Sequence, residues 1–459
     1  MNKQYKRILI ANRGDSAVRV IRACKEMGIE TVSIYSKADK GSLHSRIADI
    51  SVCIGDVRSK DSYLNSYNIL AIAIYYKVDA IHPGIGYFAE NADFSELCEK
   101  CGIDFIGPSS NVIRLMGNKI EAKKIAKGCA VPVIGDNSIE VADYKDCIAY
   151  ANEIGYPVIL KASNGGGGKG IRVAACELDI PHLFETCQRE AEQVFGKSNI
   201  LIEKYIEKGK HVEVQILADK YGNVIHIGDR ECSIQRKNQK LIEEAKCNIL
   251  TKKVRDSMYQ CAIDICTQIG YAGLGTIEYI LDADNSFYFM EMNTRLQVEH
   301  TISEMVSGID LVKEQIRVAQ GERLQYKQED IKLNGYAIQC RILSEYYNGN
   351  FVADHGKITN FHAPGGLGVR VDTSYEMDNM VTTYYDSLLC KISCHDIDKS
   401  QALKKMIRCL EELRIEGVSN NREILITILK DSRFLEGDYT TTFFDTEIDG
   451  LMERYSAMR

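Results

Sequence analysis

At 459 residues, with 45% hydrophobic and 26% charged side chains, the chain has the composition of a soluble enzyme and the length of about two to four domains. A net charge of −7, with no basic tract carrying interleaved aromatics, excludes nucleic acid as a partner. The apolar run Ile69 to Tyr76 stops at Lys77, far short of a bilayer's width, so no membrane attachment is expected.

Lys3, Lys6 and Arg7 lead into Ile8-Leu9-Ile10-Ala11, too short for a signal-peptide core and interrupted by Arg13. Without a secretion signal, the 16 scattered cysteines read as reduced thiols of a cytoplasmic protein. Cys98-Glu99-Lys100-Cys101 lacks a second ligand pair and reads as two ordinary thiols near a helix end. Residues 7–11 predict a buried strand, and Asn12-Arg13-Gly14 leads into a helix with Ala17, Val20, Ile21 and Cys24 on one face. Gly28 ends that helix and Thr31 to Tyr35 supplies the next strand, completing a βαβ unit. The pattern repeats through Val78 to Ile81 and Ile103 to Ile106, so the first hundred-odd residues predict an open α/β domain. Its first turn carries one glycine, which favours a Rossmann-like scaffold without a nucleotide of its own.

A second segment begins near Gly117-Asn118-Lys119, and Tyr156 to Lys161 predicts a strand ending in lysine. Asn164-Gly165-Gly166-Gly167-Gly168-Lys169-Gly170 follows, and then the strand Ile171 to Val173. Gly165-x-Gly167-x-x-Gly170 matches a dinucleotide pattern, but that pattern must open a helix, and here strands flank it. A P-loop also fails, because Gly170 stands where Ser or Thr is needed. What remains is a glycine-rich hairpin whose amides close over phosphates. From about Lys204 a larger α+β region follows, undivided by any linker, repeat or low-complexity stretch.

Within that region, Gly275-Thr276-Ile277-Glu278-Tyr279 and Phe289-Met290-Glu291-Met292-Asn293 predict two strands joined by the turn Asp282 to Ser286. A pivot at Asp284-Asn285 sets Glu278 roughly opposite Glu291, an arrangement that is destabilising unless a cation lies between them. Asn293 projects from the face of Glu291, so three oxygen-bearing side chains converge. Hard oxygen donors of this kind suit Mg²⁺ together with substrate phosphates.

Ile10-Ala11-Asn12-Arg13-Gly14, His82-Pro83-Gly84, Lys161-Ala162-Ser163 with its glycines, His211-Val212-Glu213-Val214-Gln215, Gln235-Arg236 with Gln239-Lys240, and Glu291 to His300 together resemble biotin carboxylase, a family of the ATP-grasp superfamily. The resemblance runs from residue 6 to about residue 445, and the length is similar to that of the stand-alone subunit of bacterial acetyl-CoA carboxylase. It implies an α/β and α+β multidomain protein: a Rossmann-like N-terminal domain over 1–118, a lid domain over 119–203, and an ATP-grasp core with a biotin-carboxylase-type C-terminal domain over 204–459. It implies ATP held by Lys119, Lys161, Gly165, Gly166, Gly167, Gly168, Glu203, Lys204, His211, Gln235 and Asn238, and Mg²⁺ (or Mn²⁺) on Glu278, Glu291 and Asn293. Bicarbonate would rest on Lys240, Arg295 and the backbone near Gln297 and Val298, with Glu299 as base. Arg341 would stabilise the biotin enolate, and Ile85 would lie near biotin. Biotin would arrive on a separate carrier protein that also visits a carboxyltransferase, and the family usually forms homodimers. The pathway implied is fatty acid biosynthesis through acetyl-CoA carboxylase, or a related acyl-CoA or pyruvate carboxylase.

The chain departs from the family's pattern at several places. Ile85 replaces a tyrosine, Asn238 a histidine, Asp15-Ser16 an acidic-apolar pair, and Lys246-Cys247 and Thr301 stand where prolines are usual. Two other readings stay open at this level: an ATP-grasp ligase joining another carboxylate to an amine, and a noncatalytic nucleotide-binding paralogue.

Overall fold

In the computed structural model, which describes residues 3–134, 139–162, 171–195, 200–347 and 350–457, three larger sheets organise the chain. The first is parallel. Arg7–Ile10 lies at its centre, flanked by Glu30–Ser36 and then Ile50–Gly55 on one side, and by Ala80–His82 and then Asp104–Phe105 on the other. Ile8 and Ile10 pack with Ala17, Val20, Ile21 and Cys24 of the helix Gly14–Glu26, while Leu9 faces the opposite layer with Val32, Ile69 and Ile81. Covering both faces is why this strand reads as an unbroken apolar run. The strand order reverses direction at Arg7–Ile10, so a crevice opens beyond its carboxyl end, where Asn12-Arg13-Gly14 meets Pro83-Gly84-Ile85. The expected strands are present, with the fourth beginning at Ala80 rather than Val78 and the fifth limited to two residues.

The second sheet is antiparallel, in the order Ile139–Val141, Ile200–Lys204, Val158–Ala162, Ile171–Ala174. Its Val158, Leu160, Ile200 and Ile202 form a small separate core with Phe184 and Cys187 of the helix Ile180–Phe195. Strand alternation sends Ile159, Lys161 and Glu203 to the other face. The glycines Gly165, Gly166, Gly167 and Gly168 lie outside the described residues.

The third sheet has eight antiparallel strands, beginning at the edge with Phe287–Asn293, Gly273–Leu281, Lys210–Ala218, Val224–Arg236 and Gln239–Ala245. Tyr336–Leu343, Leu388–Asp396 and Val369–Thr373 complete it. All 16 cysteines are among the described residues and all are free thiols. Among the described residues, no helix is long and apolar enough to cross a membrane.

Candidate active site

The edge hairpin of the third sheet brings two carboxylates face to face. Glu278 pairs with Glu291 and Thr276 with Asn293, as the sequence predicts, but the hairpin reaches that register through a bulge. Tyr279 pairs with Phe289, two residues before Glu291, leaving Met290 as the extra residue. Met290 and Glu291 therefore both line a cavity, while Phe289 and Met292 on either side enter the core. Strict alternation would have sent Glu291 inward with Phe287 and Phe289.

Two cavities abut at this acid pair, and His211, Asn238, Glu278 and Glu291 line both. The first lies between the second and third sheets and is lined also by Lys119, Lys161, Glu203, Lys204 and Gln235, so every described residue expected to hold ATP borders it. Lys119 opens a helix capped by the Asn118 side chain, which accepts from the amides of Ile120 (3.0 Å) and Glu121 (3.1 Å). A lysine at this end opposes the helix dipole, so the cation is placed there for something other than helix stability. Glu203 is buried and accepts from Lys161 Nζ at 3.0 Å and, more closely, from Lys123. Burial raises its carboxyl, but Lys161 and Lys123 outweigh burial and hold it down to about 2. Lys204 Nζ donates to the carbonyls of Tyr156 (2.7 Å) and Gly155 (3.1 Å). Asn238 ends the two-residue turn between Val224–Arg236 and Gln239–Ala245, and both turn residues have positive φ, 48° at Lys237 and 61° at Asn238. Asn tolerates that left-handed backbone better than most residues, a local reason for its presence here.

The second cavity lies between the first and third sheets. Ile85, Lys240, Asn293, Arg295, Gln297, Val298, Glu299 and Arg341 all line it, so the expected bicarbonate and biotin residues come together as a group. At its centre Lys240 Nζ donates to Glu213 Oε2 and Glu299 Oε1, each at 2.6 Å, and to Glu278 Oε1 at 3.0 Å. Glu299 also accepts from Arg341 at 3.1 Å and stands at the N-terminal cap of the helix His300–Ser307. Burial would raise the Glu299 carboxyl, but Lys240 and then Arg341 and Arg230 outweigh it and hold it well below the usual carboxylate range. Glu278 is likewise held low against burial, by Lys240 and then His211, whose Nε2 is 3.3 Å away. Arg295 donates to Glu90 at 2.7 Å and to Asn293 Oδ1 at 2.8 Å. The Gln297 side chain is engaged by Arg230 (2.6 Å) and Glu278 (2.9 Å), and the Val298 carbonyl accepts from the buried Lys391 at 2.9 Å.

Several residues of this constellation escape a linear reading. Arg230 is fully buried and donates to Glu213, Gln215, Ser303, Thr276 and Gln297. Glu213 is the shared counter-ion of Arg230 and Lys240. Its oxygen, with ligand atoms of His211 and Glu278, lies in a group all within 4.8 Å of one another. Both Glu213 oxygens are committed to the cations Arg230 and Lys240, so it serves as counter-ion. Glu278 gives Oε1 to Lys240 and Gln297 and turns Oε2 toward His211, and with Glu291 and Asn293 it forms the oxygen donor set that suits a hard cation. Lys119 stands 3.6 Å from Glu291, too far for a hydrogen bond, and Asn293 Oδ1 retains a second lone pair beside its bond from Arg295. Period-two alternation flags Glu213 and Gln215 as sharing one face, a signal that was present in the sequence. Nothing local signals Glu90, Lys123 or Lys391.

Comparison with known proteins covers nearly the whole chain. The family description "Biotin carboxylase, N-terminal domain" matches residues 4–113, "Carbamoyl-phosphate synthase L chain, ATP binding domain" matches 118–327, and "Biotin carboxylase C-terminal domain" matches 339–446. The chain is 47% identical over 442 residues to biotin carboxylase 1 of Bacillus subtilis (strain 168), spanning 96% of this chain and 98% of that one. It is 45% identical over 441 residues to the 2-oxoglutarate carboxylase small subunit of Hydrogenobacter thermophilus, spanning 96% and 93% of the two chains. The fold superposes with a TM-score of 0.95 on the biotin carboxylase domain dimer of the latter enzyme, a crystal structure in complex with MgADP, ADP and bicarbonate, at 44% identity and covering 98% of this chain and 99% of that one.

Proposed function

Because this chain belongs to the biotin carboxylase family, we propose that its two abutting cavities hold ATP on one side of Glu278 and Glu291, and bicarbonate followed by biotin on the other. The chain is an ATP-dependent ligase that carboxylates biotin with bicarbonate, releasing ADP and phosphate. The observation that carries the residue assignment is the shared wall: the same acid pair borders both cavities, so a terminal phosphoryl group and a small anion meet there.

Lys119 and Lys161 serve as point charges on the phosphates, with Glu203 fixing the Lys161 ammonium. Lys204, His211, Gln235 and Asn238 border the rest of the nucleotide. Glu278, Glu291 and Asn293 would hold Mg²⁺ or Mn²⁺, which when bound neutralises charge on the transferred phosphoryl group. Bicarbonate is held by Lys240 and by the Arg295 fork, which Glu90 and Asn293 orient. In drawing Lys240 toward itself the anion loosens the contacts that keep Glu299 acidic, so Glu299 becomes a competent base as substrate arrives. Glu299 takes the bicarbonate proton, the freed oxygen attacks the γ-phosphorus, and the bond to ADP breaks. Carboxyphosphate then divides into CO₂ and phosphate. Phosphate removes the ureido proton of biotin, and the enolate, stabilised by Arg341, attacks CO₂.

Ile85 offers biotin an apolar contact. The divisions proposed for the chain are at residues 118 and 203, the latter one residue before the end of the strand Ile200–Lys204. Biotin reaches the site on a carrier protein that also serves a carboxyltransferase, and the protein works as a homodimer. The relative of known structure forms a dimer, which supports that reading. The final acceptor is left to the partner: relatives of nearly equal identity include a biotin carboxylase and a 2-oxoglutarate carboxylase subunit.

The test is ATP cleavage measured with and without bicarbonate and free biotin. Turnover is expected to require bicarbonate and to rise with biotin; turnover stimulated instead by an amino acid would contradict the assignment. Glu299→Gln is expected to leave MgATP affinity within about twofold while lowering bicarbonate-dependent ADP release by about 100-fold or more. Equal turnover in the variant would remove Glu299 from the base role.

A further inference from the structure

Thr301 stands where the family's pattern has proline, two residues past Glu299 in the helix His300–Ser307. Its side chain faces a chain of polar groups that ends on Arg341. Arg341 Nε donates to Glu243 Oε1 at 2.5 Å, and Glu243 Oε2 accepts from Gln339 Nε2 at 3.1 Å. Gln339 Oε1 in turn accepts from Thr301 Oγ1 at 2.5 Å and from Ser393 Oγ at 3.3 Å, and the two hydroxyls are 2.9 Å apart. The register enforces this order, because Gln339 lies opposite Glu243 on one neighbouring strand and opposite Ser393 on the other. Glu243, Thr301, Gln339 and Ser393 are each 0% exposed, so water does not compete for the bonds among them.

We infer that Thr301 and Ser393 are positioning residues for Arg341, acting by anchoring the oxygen of the Gln339 amide. This rests on the reading above, in which Arg341 serves biotin. A carboxylate can only accept hydrogen bonds, so Gln339 must present its NH₂ to Glu243 and keep its oxygen turned away. The two hydroxyls donate to that oxygen and hold the amide in this sense. Without them the amide oxygen is a buried acceptor with no donor, and Gln339 shifts to find one. That shift pulls on the hydrogen bond its NH₂ gives Glu243, and Glu243 follows. Arg341 moves with it, since Glu243 and Glu299 are its two carboxylate anchors. Proline at position 301 has no hydroxyl, so the relay belongs to this chain and not to the family's usual pattern.

Thr301→Val removes the hydroxyl at nearly constant size. Its biotin-stimulated turnover is expected to fall by about tenfold or more, with a higher KM for biotin, as a misplaced catalytic group requires. Bicarbonate-dependent ATP cleavage without biotin should stay within about twofold of the unsubstituted protein. Thr301→Ser, which keeps the hydroxyl, should restore the biotin-stimulated rate. Ser393→Ala, on the opposite strand, should show the same split at smaller size. Unchanged biotin stimulation in both Thr301→Val and Ser393→Ala overturns the relay, as does an equal fall of both rates that Thr301→Ser shares. If the unsubstituted protein shows no bicarbonate-dependent turnover, the reading of the site fails first, and the relay fails with it.

Discussion

Glu203 shows how a single buried carboxylate ties the fold to the site. Its two lysine partners come from the helix Lys119–Gly128 and the strand Val158–Ala162, so its charge draws the second sheet toward the wall of the nucleotide-side cavity. Because its carboxyl is held down to about 2, the stabilisation is complete above the ordinary carboxylate range and is lost as pH falls from about 4.3 to about 2. Glu203→Gln removes the buried carboxylate that Lys123 and Lys161 share and is expected to cost about 3 kcal/mol at neutral pH. Denaturant unfolding across a pH series should show that deficit shrinking as pH falls through the same window; a constant deficit would contradict the ion-pair account. At this scale the sequence is legible where chemistry is local. Glu278 and Glu291 betray themselves because like charges opposite each other demand a cation. Arg230 and Glu90 do not, since an arginine in a strand reads as solvated, and Glu90 is 205 residues from the Arg295 it orients.

The elements matter through register. In Phe287–Asn293 the bulge at Met290 switches the strand's inward and outward faces, and only after that switch does Glu291 meet the cavity. The pairing of Glu278 with Glu291 was legible from the turn residues; the bulge was not, because one extra residue leaves no compositional trace in so short a strand. The turn Lys237-Asn238 is the second such device. It fixes the pairing of Arg236 with Gln239 and thereby sets Lys240 opposite Gln235. Its left-handed backbone predicts that Asn238→Gly melts at or near the temperature of the unsubstituted protein, while Asn238→Val loses about 1–2 kcal/mol. Equal melting temperatures for the valine and glycine variants would contradict the turn assignment.

Across the whole molecule the site belongs to no single sheet. The parallel sheet supplies the crevice with Ile85 and Glu90, the four-stranded sheet supplies Lys161 and Glu203, and the eight-stranded sheet supplies the acids, Lys240 and Arg341. This is why the parallel domain could be recognised from its strand pattern while its part in the chemistry, at Ile85, came only through the family resemblance: the crevice acquires meaning only when the third sheet closes it. The arrangement makes one central claim, that a nucleotide's terminal phosphoryl group is passed across the Glu278–Glu291 wall to bicarbonate. If bicarbonate oxygen attacks phosphorus and carboxyphosphate then divides at its carbon–oxygen bond, that oxygen must leave on the phosphate. Turnover with ¹⁸O-labelled bicarbonate in unlabelled water, read by mass spectrometry of the inorganic phosphate, is therefore expected to give phosphate carrying one labelled oxygen. Phosphate that took its new oxygen from water alone would contradict the account.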